Sequence, residues 1–599
     1  MKLRLLLLSV LVLYTFGFGG NTGKIAGVIK DLTTGEPLVG ANVFIEGTKQ
    51  GAAANIDGYY VILNIPPGKY NLAASALGYH KKTITGVSIS IDQTTTIDFQ
   101  LQSAVVELKD EVVIVASRPL VQKDQTAKTA VVGGDDIKAL PVTEVSQVLN
   151  LQAGMVAGSL RGGRSGEVAY WIDGVPVSDA YNGGQVVEVN KSIVQELQLI
   201  SGAFNAEYGQ AMSGIVNIAT KEGGQQFTGG VGGYIGQYVV SSEKTYTKAV
   251  DGHDSLTSDL FPGLNKFRPT AIRNIEANVS GPLIGEDVTF FANGRYIYFD
   301  GYLKGFNRFN PSNIAFTDSI GTFHLNRDSS GIGDSSIVPL NNSERYYGQG
   351  KLTFRITPLL KLTGNYIYDY TKSKPYDGYN RDNRFYFYNP NGLGNDYNYS
   401  QTFIFQLSHT LNQTTFYTLG GSLFKKDFKH YLYENKNDPR YVNPQLLQRQ
   451  DGYSFYTGGT DMRHFSRSTL TGLVKFDISN QFNETNLFKA GVELRRHDLR
   501  YDEITALQPI QSQVAFKPSK DDPFIQTQIP DISTPYRNKY SHTPYEMSGY
   551  IQDKMEFKDI IVNIGIRYDF FEPDGKVLAD PTDPNIYNPI KTENRFVDA

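Results

Sequence analysis

The chain has 599 residues, enough for several domains, and its 57 Lys and Arg against 61 Asp and Glu leave a formal charge of −4. That balance provides no basic surface for nucleic acid, and the absence of cysteine excludes disulfides, thiolate metal sites and a cysteine-borne lipid anchor. A mean hydropathy of −0.31 with no long apolar run after residue 20 excludes a helical membrane protein. It does not exclude a transmembrane β-barrel, in which lipid-facing apolar residues alternate with polar ones and average out.

Residues 1–20 read as a secretory signal peptide: Lys2 and Arg4 precede the apolar run Leu5 to Phe18, and small Gly19 and Gly20 follow. The chain is therefore expected to leave the cytoplasm. Residues 21–102 predict a small β-sandwich. Turn signals recur at about ten-residue spacing, at Asp31 to Pro37, Glu46-Gly47-Thr48, Asp57-Gly58 and Pro66-Pro67-Gly68. The stretches Gly27-Val28-Ile29, Pro37 to Val43, Asp57-Gly58-Tyr59-Tyr60 and Leu77-Gly78-Tyr79 resemble the carboxypeptidase-regulatory-like, transthyretin-type domain. In that family the domain is an accessory. No histidine here begins an H-x-x-E pair, so the zinc ligands of a peptidase are missing.

Residues 103–118 form a link, with charges at Glu107, Lys109, Asp110 and Glu111 ahead of Val112-Val113-Ile114-Val115-Ala116. An extended β-branched run suits strand addition to a partner's sheet edge, and equally the first strand of the next domain.

Residues 119–224 predict an α+β unit. Gly133-Gly134-Asp135-Asp136-Ile137 reads as a turn into an N-capped helix, and 141–151 as a second short helix. Three motifs follow. The first is Arg161-Gly162-Gly163-Arg164-Ser165. The second is Tyr170-Trp171-Ile172-Asp173-Gly174-Val175-Pro176, in which Asp173-Gly174 reads as a hairpin turn. The third runs from Glu196 to Lys221: an alternating strand, a loop with Glu207-Tyr208-Gly209, then Met212-Ser213-Gly214 and a β-branched strand ending in Thr220-Lys221. Together these resemble the plug domain of TonB-dependent outer-membrane receptors.

That resemblance implies a gated β-barrel importing a scarce, bulky nutrient of the siderophore, cobalamin, glycan or peptide class. It implies that Glu111 to Ala116 is the TonB box, gripped by a TonB-type energy-transducing periplasmic protein. It also implies that the plug arginines Arg161 and Arg164 meet carboxylates on the barrel wall, with ordinary solvation as the other reading. Glu207 is expected either to pair with a barrel arginine such as Arg295 or Arg567 or to be solvated. Gly202, Gly209 and Gly214 are expected to serve backbone geometry.

Residues 225–599 show about eleven alternating segments, near 226–240, 268–283, 287–300, 345–357, 359–371, 398–411, 413–427, 465–479, 486–500, 541–557 and 559–571. Each is long enough for a tilted membrane strand of about 9–11 residues. Their connections alternate between short turns and polar loops of about 26 to 44 residues, the habit of outer-membrane barrels. The fold expected is mainly β: a transthyretin-like sandwich, an α+β plug, and about half of a 22-stranded antiparallel transmembrane barrel, incomplete at its C-terminus. Tyr296, Tyr298, Tyr366, Tyr368, Tyr370, Tyr568 and Phe570 suit an interfacial girdle, whereas Tyr376, Tyr379 and Phe385 to Tyr388 suit either a ligand vestibule or packing within loops.

Chemistry is not in evidence. The chain has no phosphate-binding loop, no nucleophile elbow and no spaced His/Cys set, so neither an enzyme nor a cofactor is expected. The outer membrane of a Gram-negative cell is the expected location, its lipid a partner, and the accessory sandwich leaves room for a surface lipoprotein. The alternative reading is a passive outer-membrane porin or surface-binding protein, for which a plug would be superfluous.

Overall fold

The computed structural model describes residues 22–104, 112–115, 126–164, 166–240, 245–250, 253–259, 261–313, 315–317, 320, 323–325, 333–376, 385–443, 455–509, 523–557, 560–578, 580, 582 and 596–598. The expected signal peptide, Glu111, Ala116 and Tyr379 lie outside them.

Nine strands come first: β1 (Gly23–Asp31), β2 (Asn42–Ile45), β3 (Gly51–Ala53), β4 (Tyr59–Ile65), β5 (Gly68–Ser75), β6 (Lys82–Ile89), β7 (Thr94–Thr96), β8 (Phe99–Leu101) and β9 (Val112–Val115). Strands β1, β4, β7 and β8 make one sheet; β3, β2, β5, β6 and β9 make the other. Between them lie Ile25, Ile29, Val43, Ile45, Ile65, Leu72 and Phe99, all shielded from solvent. The apolar run assigned to the link therefore forms the edge of a sandwich sheet, with β9 parallel to β6 from Lys82↔Val112 to Thr85↔Val115.

The plug follows with β10 (Lys128–Gly133), helices Gly134–Ala139 and Val145–Asn150, then β11 (Met155–Val156), β12 (Ser159–Leu160), β13 (Val168–Ile172), β14 (Val175–Pro176), β15 (Val194–Ser201) and β16 (Gly214–Thr220). Its sheet order is β10-β15-β16-β13-β14, and every residue of the central β16 is buried. The first helix starts without a side-chain cap at Gly133. The second is held by a reciprocal capping box between Glu144 and Gln147, which satisfies N–H groups that a helix start leaves unpaired. Ile137, Val148, Val168, Ile172, Leu197, Val216 and Ile218 form a core that extends onto Phe291, Tyr347, Ile367 and Leu473 of the next domain.

Twelve strands then join in one antiparallel sheet running from Thr228–Gly236 to Ile561–Glu572. Two of them, Arg537–His542 and Tyr545–Glu556, are halves of a single row along Asn486–Ile504, so the rows number eleven, as expected. The row breaks beside Pro544, which has no N–H to offer the ladder. Along Asn486–Ile504 the usual placement of side chains is inverted. Phe488, Val492 and Leu494 are 46%, 43% and 54% exposed, whereas Lys489, Glu493, Arg495 and His497 are between 3% and 8% exposed. Apolar-out and charged-in alternation is stable only where lipid surrounds the wall and something polar fills the bore. Tyr296, Tyr346, Tyr370 and Tyr399 lie directly opposite one another on successive strands, forming part of the expected girdle.

Short turns close one end of the wall, and the sandwich docks there. Ala26, Val61 and Leu63 pack on Phe416, Lys24 meets Glu556 at 2.7 Å, and Asn64 reaches Ser408 at 2.8 Å. Burial lowers the Lys24 ammonium to about 8, against the opposing pull of Glu556. At the long-loop end Tyr376, Phe385 and Tyr386 are buried, and Phe385 and Tyr386 pack against Tyr456 with ring centroids 5.3 and 5.1 Å away. Of the two readings of the loop aromatics, packing is the one these residues show.

Candidate functional site: the seat of the plug

Asp173 and Gly174 both have positive φ, 49° and 79°, and join β13 to β14 as a two-residue hairpin of the type that requires left-handed backbone at both positions. The turn also aims a carboxylate. Asp173 accepts hydrogen bonds from the Thr220 backbone N–H (2.8 Å) and hydroxyl (2.7 Å), and on the wall from Asn365 Nδ2 (2.9 Å) and Lys351 Nζ (3.1 Å). A hairpin motif thus doubles as an anchor on the barrel, with Thr220 completing the socket.

The same arrangement recurs around the plug. Glu144, whose backbone starts the second helix, reaches Arg295 at 2.8 Å and Arg345 at 3.3 Å. Burial pushes the Glu144 carboxyl up against the pull of those two guanidinium groups. Asp179, fully buried, lies 3.2 Å from Arg467 and 3.5 Å from Lys426. Glu222 lies 3.2 Å from Lys361 and 3.8 Å from Lys351. Burial alone would raise the Glu222 carboxyl, but the two lysines outweigh it and hold the group at about 2. Glu207 lies 3.3 Å from Lys489. Among the described residues, five plug carboxylates therefore meet seven bases on the wall.

This polarity is the reverse of the one implied by resemblance. Arg161 and Arg164 are exposed, and among the described residues neither meets a carboxylate. Arg161 instead has left-handed backbone (φ 52°), and its N–H bonds the Gly154 carbonyl at 2.7 Å, while Gly162 turns beside it with φ 77°. Glu207 takes Lys489 as its partner rather than Arg295, which serves Glu144. Arg567 does arrive at this loop, but through backbone: its Nη1 donates to the Glu207 carbonyl at 3.3 Å. The guanidinium lies against Gly209, where a Cβ would come within 2.4 Å of it and oblige it to shift. Tyr208 stacks edge-on to Trp171 at 5.0 Å and donates to Asp92 of the sandwich at 2.9 Å. Gly214 opens β16 against Leu160, and Lys221 donates to the Ser192 carbonyl.

Sequence reasoning passed over Glu144, Asp179, Glu222 and their bases, apart from Arg295, which it offered to Glu207 instead. A lone carboxylate in a polar loop carries no signature until the wall opposite is known. At the long-loop end of the seat Tyr181 stacks on Tyr501 at 6.3 Å, and the Arg467 guanidinium lies over its ring at 4.3 Å.

Residues 25–114 match the CarboxypepD_reg-like domain, and residues 121–216 match the TonB-dependent Receptor Plug Domain. Over 375 residues the chain is 21% identical to the TonB-dependent transporter Oar of Myxococcus xanthus, an alignment covering 58% of this chain and 33% of Oar. It is 28% identical over 209 residues to the TonB-dependent receptor P26 of Formosa agariphila, covering 32% of this chain and 20% of P26. It is 26% identical over 224 residues to the TonB-dependent receptor SusC of Bacteroides thetaiotaomicron, covering 33% of this chain and 21% of SusC. The chain thus spans a third or less of the length of these relatives. Among solved structures it is similar to the siderophore receptor PirA from Pseudomonas aeruginosa, with 13% identity, a TM-score of 0.44, and coverage of 75% of this chain and 56% of that one. It is also similar to the outer membrane transporter YddB from Escherichia coli, with 10% identity, a TM-score of 0.45, and coverage of 74% and 56%.

Proposed function

We propose, on the premise that this outer-membrane protein carries a TonB-dependent receptor plug behind a CarboxypepD_reg-like domain, that it actively imports a nutrient too large to diffuse through an open pore. The observation that carries this reading is the seat: a folded plug lies against the wall, and beside its apolar contacts with Phe291, Tyr347, Ile367 and Leu473 it is held there by buried charge pairs. Buried pairs of this kind add little net stability, because desolvation offsets their attraction, yet they fix register strictly. Water entering behind a displaced plug can replace each partner, so the seat opens without an unfolded core.

Three steps follow. Ligand settles between the long loops and the plug face around Asp179 and Tyr181, where side chains of plug and wall interleave. Its binding alters the availability of Glu111 to Ala116. A TonB-type periplasmic partner then adds a strand to that segment and pulls, remodelling the plug until a path opens. The substrate is of the siderophore, cobalamin, glycan or peptide class, and the accessory sandwich leaves open a surface lipoprotein as a further partner.

Deletion of residues 110–117 in the full-length protein is expected to abolish uptake while leaving surface binding of ligand intact. Retained uptake would contradict the role given to the segment. Uptake that persists after collapse of the proton gradient would favour the passive porin.

A further inference from the structure

The turn after β6, residues 90–93, is buried although it belongs to an accessory domain: Ser90, Ile91 and Gln93 are all shielded. It reaches past the sandwich into the mouth of the barrel. The Ile91 N–H donates to Glu196 Oε1 at 3.0 Å and its carbonyl accepts from Gln198 Nε2 at 3.1 Å, so the turn is bonded to plug strand β15. Asp92 stands at the tip in left-handed backbone, φ 55°, which aspartate adopts more readily than most side chains. One carboxylate oxygen meets Lys489 of the wall at 2.6 Å; the other accepts from Tyr208 of the plug at 2.9 Å. Lys489 is at the same time 3.3 Å from Glu207 of the plug. One ammonium on the wall thus holds the sandwich and the plug together. Around the turn lies a cavity of about 70 Å³ lined by all three parts, among them Lys24, Asn205, Ile200, Leu487 and Lys554.

The connection to the pulled segment is direct. Strand β9 holds the middle of that segment and runs parallel to β6 in a four-pair register, and the turn carrying Asp92 immediately follows β6. Traction on β9 loads β6 in shear, and the turn is the next structure in line.

We propose that the 90–93 turn is a latch: the sandwich keeps the plug seated through Asp92, and traction on β9 withdraws the turn from Lys489 and Tyr208 before the plug itself moves. This rests on the reading of 112–115 as part of the gripped segment. It gives the sandwich a role in closure that does not depend on which nutrient is carried.

The test uses the full-length protein in a planar lipid bilayer, with no ligand and no partner. Asp92→Asn keeps a residue that tolerates left-handed backbone and removes the charge facing Lys489. Openings are expected to become about tenfold more frequent, the shift that about 1.4 kcal/mol of lost closing energy produces. A closed state as quiet as the unaltered protein's would overturn the latch. A second variant reads the same claim in cells. Asp92→Cys with Lys489→Cys is bridged by a short cleavable thiol reagent, and residues 1–599 contain no other cysteine. Bridged protein is expected to stop importing and to resume when the bridge is cut; import through an intact bridge would overturn the withdrawal step. Failure of energised uptake in the unaltered protein would count against the transport reading alone, because the conductance measurement needs no uptake.

Discussion

The sandwich core and the plug's seat solve opposite problems. Between the sandwich sheets Ile25, Ile29, Val43, Ile45, Leu72 and Phe99 are packed apolar against apolar, and nothing there exchanges with water without loss. At the seat Glu144, Asp173, Asp179, Glu207 and Glu222 face Arg295, Arg345, Lys351, Lys361, Lys426, Arg467 and Lys489. The first design holds a shape under load. The second aligns a movable part and lets water take over its bonds when it leaves. Under the proposed function, a receptor pulled from below would need a handle that stays folded and a stopper that lets go, and the two regions would supply one each.

The largest effect on that contrast is expected at Asp179. Asp179→Ala leaves Lys426 and Arg467 against the plug without their carboxylate, a loss of about 3–5 kcal/mol for a broken buried pair. Thermal melting and bilayer conductance are expected to show a loosened plug with the sandwich transition unmoved. A shift in the sandwich transition instead would erase the distinction between the two regions.

A smaller effect is expected from acid. Glu222 titrates at about 2 when folded, below the ordinary 4.5, because Lys361 and Lys351 overcome its burial. A carboxylate depressed by folding contributes stability that is complete above about pH 4.5 and is lost as the pH falls toward 2. Plug melting followed between about pH 6 and pH 2.5 is expected to soften over that window, and Glu222→Gln to flatten the response. The sandwich carries Asp31, whose carboxyl is likewise held low by hydrogen bonds from Thr34, Tyr79 and Thr33, so the comparison with Glu222→Gln supplies the control.

Much of the fold is legible in the sequence. Alternation along Phe488 to His497 marked a strand, and the rhythm of short and long connections marked a membrane barrel, because both follow from local periodicity. The Asp173-Gly174 turn was legible for the same reason, as its backbone demand falls on two adjacent residues. The seat was not. Which carboxylate meets which base depends on where a plug strand lies against a wall strand more than a hundred residues away, as with Asp173 and Lys351. The resemblance pointed at Arg161 and Arg164, but both are exposed, and among the described residues it is plug carboxylates that meet bases on the wall. The run 112–115 showed why it is extended and not what it lies beside, since a β-branched segment fits any free sheet edge, and here that edge is β6.

The most direct measurement is a tether across the seat. With Asp173→Cys and Asn365→Cys joined by a short cleavable thiol bridge in an otherwise cysteine-free chain, the plug is fixed where Asp173 now accepts from Asn365 at 2.9 Å. The account predicts that uptake stops while ligand still binds, and that cutting the bridge restores it. Uptake at the unaltered rate through a bridged seat would contradict it.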